Sequence, residues 1–131
     1  MFLLHKAVID EVHKTHPDKS VLLMGYAPTA WPSKIIDNWG DHVMVELTNQ
    51  TPEYVEAWEG KTAGITGYVY WFDIQLKMGM DIHATPREAA EHLRYLYDNG
   101  FVGLYHFPET NFGFAGQVIY ALGKLMGDPD L

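Results

Sequence analysis

A chain of 131 residues, 47% hydrophobic and 20% charged, carries apolar mass for one folded domain and not for several. Its formal charge of −8, from 17 acidic and 9 Lys/Arg residues with no basic stripe, excludes nucleic acid as the main partner. With no cysteine there is no disulfide framework, thiolate metal site or cysteine nucleophile, and no apolar run approaches the roughly 18–20 residues that cross a bilayer.

The opening MFLLHKAVIDEVHK lacks the basic start and long apolar middle of a secretion leader. It reads as an amphipathic helix over residues 2–15, with Leu4, Val8, Ile9 and Val12 on one face and Asp10, Glu11 and Lys14 on the other. Pro17 ends that helix, and residues 21–26, VLLMGY, form the first predicted strand. An irregular loop, APTAWPSK, precedes a short predicted helix over residues 33–39 that stops at Gly40.

Residues 42–48, HVMVELT, are the second strand. Thr51, Pro52 and Glu53 then open a helix as cap, first helical residue and first-turn acid, and Gly60 stops it. The third strand, residues 65–72, carries Tyr68, Val69, Tyr70, Trp71 and Phe72 without a charge, which suits burial on both faces. It stops at Asp73, on the same side as Val69 and Trp71 by alternation. A long loop over residues 73–84 leads to a capping box, Thr85-Pro86-Arg87-Glu88, and a helix reaching Asn99-Gly100 with Ala89, Leu93, Leu96 and Tyr97 as its buried stripe. Residues 102–106 are the fourth strand. The last helix is predicted over residues 117–126 with Val118, Leu122 and Leu125 inward. His5, His13, His16 and His92 are expected at the surface.

One helix followed by four strand–helix units predicts a parallel sheet with right-handed crossovers. The strand spacing is barrel-like, and a complete (β/α)8 barrel takes about 250 residues. The expectation is therefore an α/β chain forming the parallel four-stranded half of a TIM-type barrel, with its helices on the outer face. Glu46 should then point to the barrel interior near its top, while Val43, Val45 and Leu47 pack against helices. Glu46 and Asp73 end adjacent strands, so they form a carboxylate pair suited to glycoside hydrolysis by retention or by inversion. The plainer reading makes Glu46 an ion-paired or rim residue and Asp73 a cap for the loop it begins.

Tyr26, Trp31, Trp71 and Phe112 fall at or past strand ends, where aromatic faces suit sugar C–H surfaces. Core filling fits Trp71 better, and sugar contact fits Trp31 and Tyr26. His106 ends the fourth strand with Glu109 three residues on, placed to bond a sugar hydroxyl or tune a carboxylate. Asp73, Asp81, His83 and His106 offer metal-ligand chemistry without a known metal spacing, so no metal and no cofactor is assigned. No GxGxxG, Walker loop or GxSxG elbow supports a nucleotide cofactor or a serine hydrolase.

Three stretches resemble a known family. HKTHPDKSVLLMGYA (13–27) resembles the helix–turn–strand passage of bacterial glycoside-hydrolase-like barrels of the domain-of-unknown-function family 4838. GQVIYALGKLMGDPDL (116–131) resembles that family's final barrel helix, and is similar to the last helix of family 67 α-glucuronidases, with Gly127 where a Trp is usual. GYVYWFD (67–73) occupies the place of a late barrel strand.

The resemblance implies the carboxyl-terminal half of the barrel as one domain, a fragment of a larger protein. It also implies action on the glycosidic bonds of glycans or uronides, with Glu46 and Asp73 as catalytic residues and Tyr26, Trp31, Trp71, His106 and Glu109 around a carbohydrate substrate. The alternative is a non-catalytic carbohydrate-binding or remnant half-barrel that folds only with a missing half or as a homodimer. A metal-dependent hydrolase using His83 and His106 is a third reading.

Overall fold

A computed structural model of the chain describes residues 1–70, 85–106 and 112–128. The element order is α1 (Phe2–Thr15), β1 (Val21–Gly25), a short 3-10 helix (Ala27–Thr29), β2 (Val43–Leu47), α2 (Pro52–Trp58), β3 (Gly64–Val69), α3 (Pro86–Asp98), β4 (Phe101–His106) and α4 (Phe112–Leu125). The four strands form one all-parallel sheet in the order β1-β2-β3-β4. Register pairs Val21 with Val43 and Met24 with Glu46 across β1 and β2, then Glu46 with Thr66 across β2 and β3. Among the described residues no helix is long and apolar enough to cross a membrane.

The chain divides into two compact units. The first is Met1–Gly67 with Val102–Leu104, and the second is Tyr68–Phe101 with Tyr105–Leu131.

In the first unit the alternation of β2 sorts its side chains as the sequence predicts. Val43, Val45 and Leu47 are fully buried in a core that also holds Ile9, Leu23, Ile36, Trp39, Val55 and Trp58. Gly25 is required where β1 meets β2, because a Cβ there would lie 2.7 Å from Leu47 Cδ2 and 3.2 Å from the Glu46 carbonyl oxygen. Helix α2 starts at Pro52, with its fixed φ at the first helical position, and ends two residues before Gly60, whose φ of +69° no longer fits a helix.

Several expectations are corrected in this unit. Residues 33–39 do not form a helix. Side chains and distant backbone take the hydrogen bonds a helix would need: Ser33 Oγ accepts Ile35 N–H, Asn38 Oδ1 accepts Gly40 N–H, and Trp39 N–H donates to Lys61 O at 2.8 Å. The docked face of α1 is also different. Leu4 and Val8 are exposed, and Phe2, His5, Ile9, Val12 and His13 turn inward, with Phe2 edge-on to Trp39 at 5.6 Å. His5 and His13 are thus partly buried rather than surface residues, and His13 lies edge-on to His42 at 5.1 Å between centroids. An aromatic partner for Phe2 outweighs the aliphatic count that favoured Leu4 and Val8.

In the second unit α3 and α4 pack together through Ala89, Leu93, Leu96, Val118 and Leu122. The capping box forms as predicted: Thr85 Oγ1 accepts Glu88 N–H at 3.2 Å, and Glu88 Oε2 accepts Thr85 N–H at 2.8 Å. Tyr97 leaves the buried stripe, at 63% exposure. Each four-residue step advances the helical stripe by about 40°, so Tyr97 sits about 80° around from Ala89. His92 is partly buried, and burial lowers its pKa. Helix α4 begins at Phe112 rather than at residue 117.

Strand β3 is not buried on both faces: Gly67 and Val69 are buried, but Thr66 and Tyr68 are half-buried and Tyr70 is exposed. On β1 the residues of that same face, Leu22 and Met24, are exposed as well.

Candidate functional site

Glu46 lies on the less covered face of the sheet, near the carboxyl end of β2. Strand register sets Met24 on one side of it and Thr66 on the other. Adjacent Cα partners in a parallel pair share a face, so the three side chains emerge together. Glu46 is 7% exposed and has no hydrogen-bond or ion-pair partner among the described residues. Desolvation by burial disfavours the anion and raises the carboxyl pKa above its ordinary 4.5. A carboxyl of this kind is chemically suited to hold a proton and deliver it to a leaving oxygen.

The loop that follows β1 is held from several directions. Tyr26 continues the extended strand and is 57% exposed. Ala27 then turns the chain with a φ of +47°, a left-handed value that a non-glycine residue rarely adopts. Buried Thr29 ties the turn. Its hydroxyl is shared between the carbonyls of Met24 at 2.8 Å and Tyr26 at 2.9 Å, and its oxygen accepts Tyr26 N–H at 3.3 Å. The carbonyl of Ala30 accepts the indole N–H of Trp58 at 2.7 Å, from a helix 28 residues away.

Trp31, next in the chain, is 50% exposed. Its ring lies on that of Tyr54, with centroids 4.5 Å apart and planes at 36°. One indole face is backed by α2 and the rest of the ring meets solvent. Tyr54 and Trp58 are one turn apart on α2, and both serve the β1 loop. Sequence reasoning missed them, although their i, i+4 spacing on the helix after a strand was the available signal.

Among the other predicted site residues, His106 ends β4, where burial lowers its pKa below the ordinary imidazole value. Trp71, Asp73, Asp81, His83 and Glu109 lie outside the described residues. The structure thus places Glu46, Tyr26 and Trp31 in one unit, on β2 and on the loop leaving its neighbour β1. Among the described residues no group of three or more His, Asp or Glu side chains could hold a metal ion. In the second unit the Tyr68 ring lies 4.9 Å from those of both Tyr70 and Tyr105, an aromatic cluster that the reading of β3 as a doubly buried strand did not predict. No protein-family model, curated protein or solved structure matches this chain.

Proposed function

We propose that this chain is a carbohydrate-active domain, the carboxyl-terminal half of a glycoside-hydrolase-like (β/α)8 barrel related to family 4838, in which Glu46 is the general acid. The observation that carries this reading is the Glu46 side chain, 7% exposed on a central parallel strand and without a partner among the described residues, its pKa raised by desolvation. In an all-parallel sheet with sequential strand order, chemistry gathers at the carboxyl ends. Glu46 protonates the glycosidic oxygen as the bond to the anomeric carbon breaks. A second carboxylate, assigned to Asp73, either activates the attacking water or forms the glycosyl-enzyme bond. Tyr26 and Trp31, in the same unit as Glu46, bind the sugar, and Trp71, His106 and Glu109 are proposed as further sugar-binding residues. The reading is tested by incubating the purified chain with aryl glycosides and aryl uronides. Turnover lost by orders of magnitude in Glu46→Gln and in Asp73→Asn supports it; turnover unchanged in Glu46→Gln refutes it.

A second reading rests on a different observation. Leu22 and Met24 are exposed on the Glu46 face of the sheet, whereas parallel sheets are ordinarily covered on both faces. This suits a non-catalytic half-barrel that pairs with a missing half or with a second copy. Mass in solution separates the two: a folded monomer that turns over a glycoside favours the enzyme, and an inactive dimer favours the half-barrel.

A further inference from the structure

The β1 loop combines features that seldom coincide without a ligand to explain them. Half of a large indole is left in water at Trp31, where burial would have been favourable. The segment bearing it is nonetheless fixed. Thr29 closes it onto the end of β1, Trp58 holds the Ala30 carbonyl, and Tyr54 supports one face of the Trp31 ring. Ala27 maintains a left-handed backbone at its start, strain of the kind that persists only where surrounding structure enforces it. A loop meant only to connect β1 to β2 needs neither the strain nor the exposed ring. An aromatic face held in place before binding loses little conformational entropy when it is covered.

We infer that Trp31, backed by Tyr54, is a preformed stacking platform for a neutral pyranose ring, with Tyr54 and Trp58 as its positioning residues. The inference rests on the carbohydrate reading above and narrows its ligand class from glycans or uronides to uncharged glycans. Aromatic faces take the C–H surface of a sugar ring, and Tyr26, exposed as a residue, carries a hydroxyl that can hydrogen-bond a sugar at the same strand end. Charge decides against uronides. Glu53 and Glu56 are exposed on the same short helix as Tyr54, so an anionic sugar at this end of the first unit meets like charge.

The test is calorimetric titration of the intact chain with neutral gluco-, xylo- and manno-oligosaccharides, and with glucuronic-acid-bearing oligosaccharides of the same length. At least one neutral series is expected to bind, with the uronide series at least about tenfold weaker. Trp31→Ala is expected to weaken binding by about tenfold or more, and Trp31→Phe to retain most of it. Tyr54→Leu, which removes the support and not the contacting ring, should weaken it by about threefold. Thermal melting of each variant separates lost binding from lost folding, and Trp31 is exposed enough for its alanine variant to fold.

Absence of binding by every neutral series, binding indifferent to Trp31→Ala in a folded variant, or equal binding of uronides overturns the platform. Neutral-sugar binding without turnover would sink the role of Glu46 and leave the platform standing. Turnover that survives Trp31→Ala with an unchanged KM would do the reverse.

Discussion

The indole N–H of Trp58 donates to the carbonyl oxygen of Ala30 at 2.7 Å, joining a fully buried helix residue to the loop that leaves β1. Trp58→Phe keeps most of the ring volume and removes only the donor, leaving a buried carbonyl unsatisfied. The expected loss is about 1–3 kcal/mol of unfolding free energy, measured by denaturant titration. Trp58→Ala adds a cavity and should cost about 3–5 kcal/mol. If Trp58→Phe is as stable as the unaltered chain, the bond does not anchor the loop.

Gly25 faces the same test from the strand side. Its missing Cβ leaves room for Leu47 Cδ2, which would otherwise lie 2.7 Å away. Leu47 is buried and cannot swing clear, and the nearby Glu46 carbonyl is backbone. Gly25→Ala should therefore destabilise by about 1–3 kcal/mol despite the general benefit of removing a glycine. Combining it with Leu47→Val should cost less than the sum of the two single changes, which a double-mutant cycle reads directly.

The buried carboxyl of Glu46 sets a pH dependence with a definite sign. Burial raises its pKa in the folded chain above the 4.5 of the open chain. Between those two values the folded form holds more proton than the unfolded form, so stability falls as pH rises through the window. Glu46→Gln is neutral throughout. The stability difference in favour of the glutamine variant should be near its minimum below pH 4.5, grow as pH rises and level off above the folded pKa. A difference that does not change with pH would show that the carboxyl is not strained by desolvation.

Helix α3 offers a clean contrast on one element. Leu96→Ala empties a fully buried site and should cost about 2–5 kcal/mol. Tyr97→Ala, one position on and mostly exposed, should change stability by no more than about 0.5 kcal/mol. Comparable losses from both would restore Tyr97 to the stripe from which the structure removes it.

Local chemistry was enough to read much of this chain. The alternation of Val43, Val45 and Leu47 against Met44, Glu46 and Thr48 can produce only one sorting once β2 is a strand, because its side-chain period is two. Thr85 and Glu88 cap α3 through contacts three residues apart, and Pro52 needs no distant partner to start α2. Strand and helix alternation likewise prescribed the parallel sheet, since parallel strands require crossovers.

Other features depended on partners far away in sequence. Residues 33–39 have helical composition, but Lys61 O and Gly60 O take the bonds of Trp39 and Asn38. Which side of α1 docks was settled by the Trp39 ring offered to Phe2, not by counting aliphatic residues. Glu46 could be placed on its face from sequence alone, yet its lack of a partner among the described residues is a property of everything folded around it. The same holds for the Trp31 platform: residue 31 announces an aromatic ring, and only the packing of Tyr54 and Trp58 against its loop makes that ring a fixed surface, because those contacts exist only once α2 has folded back onto the loop that follows β1.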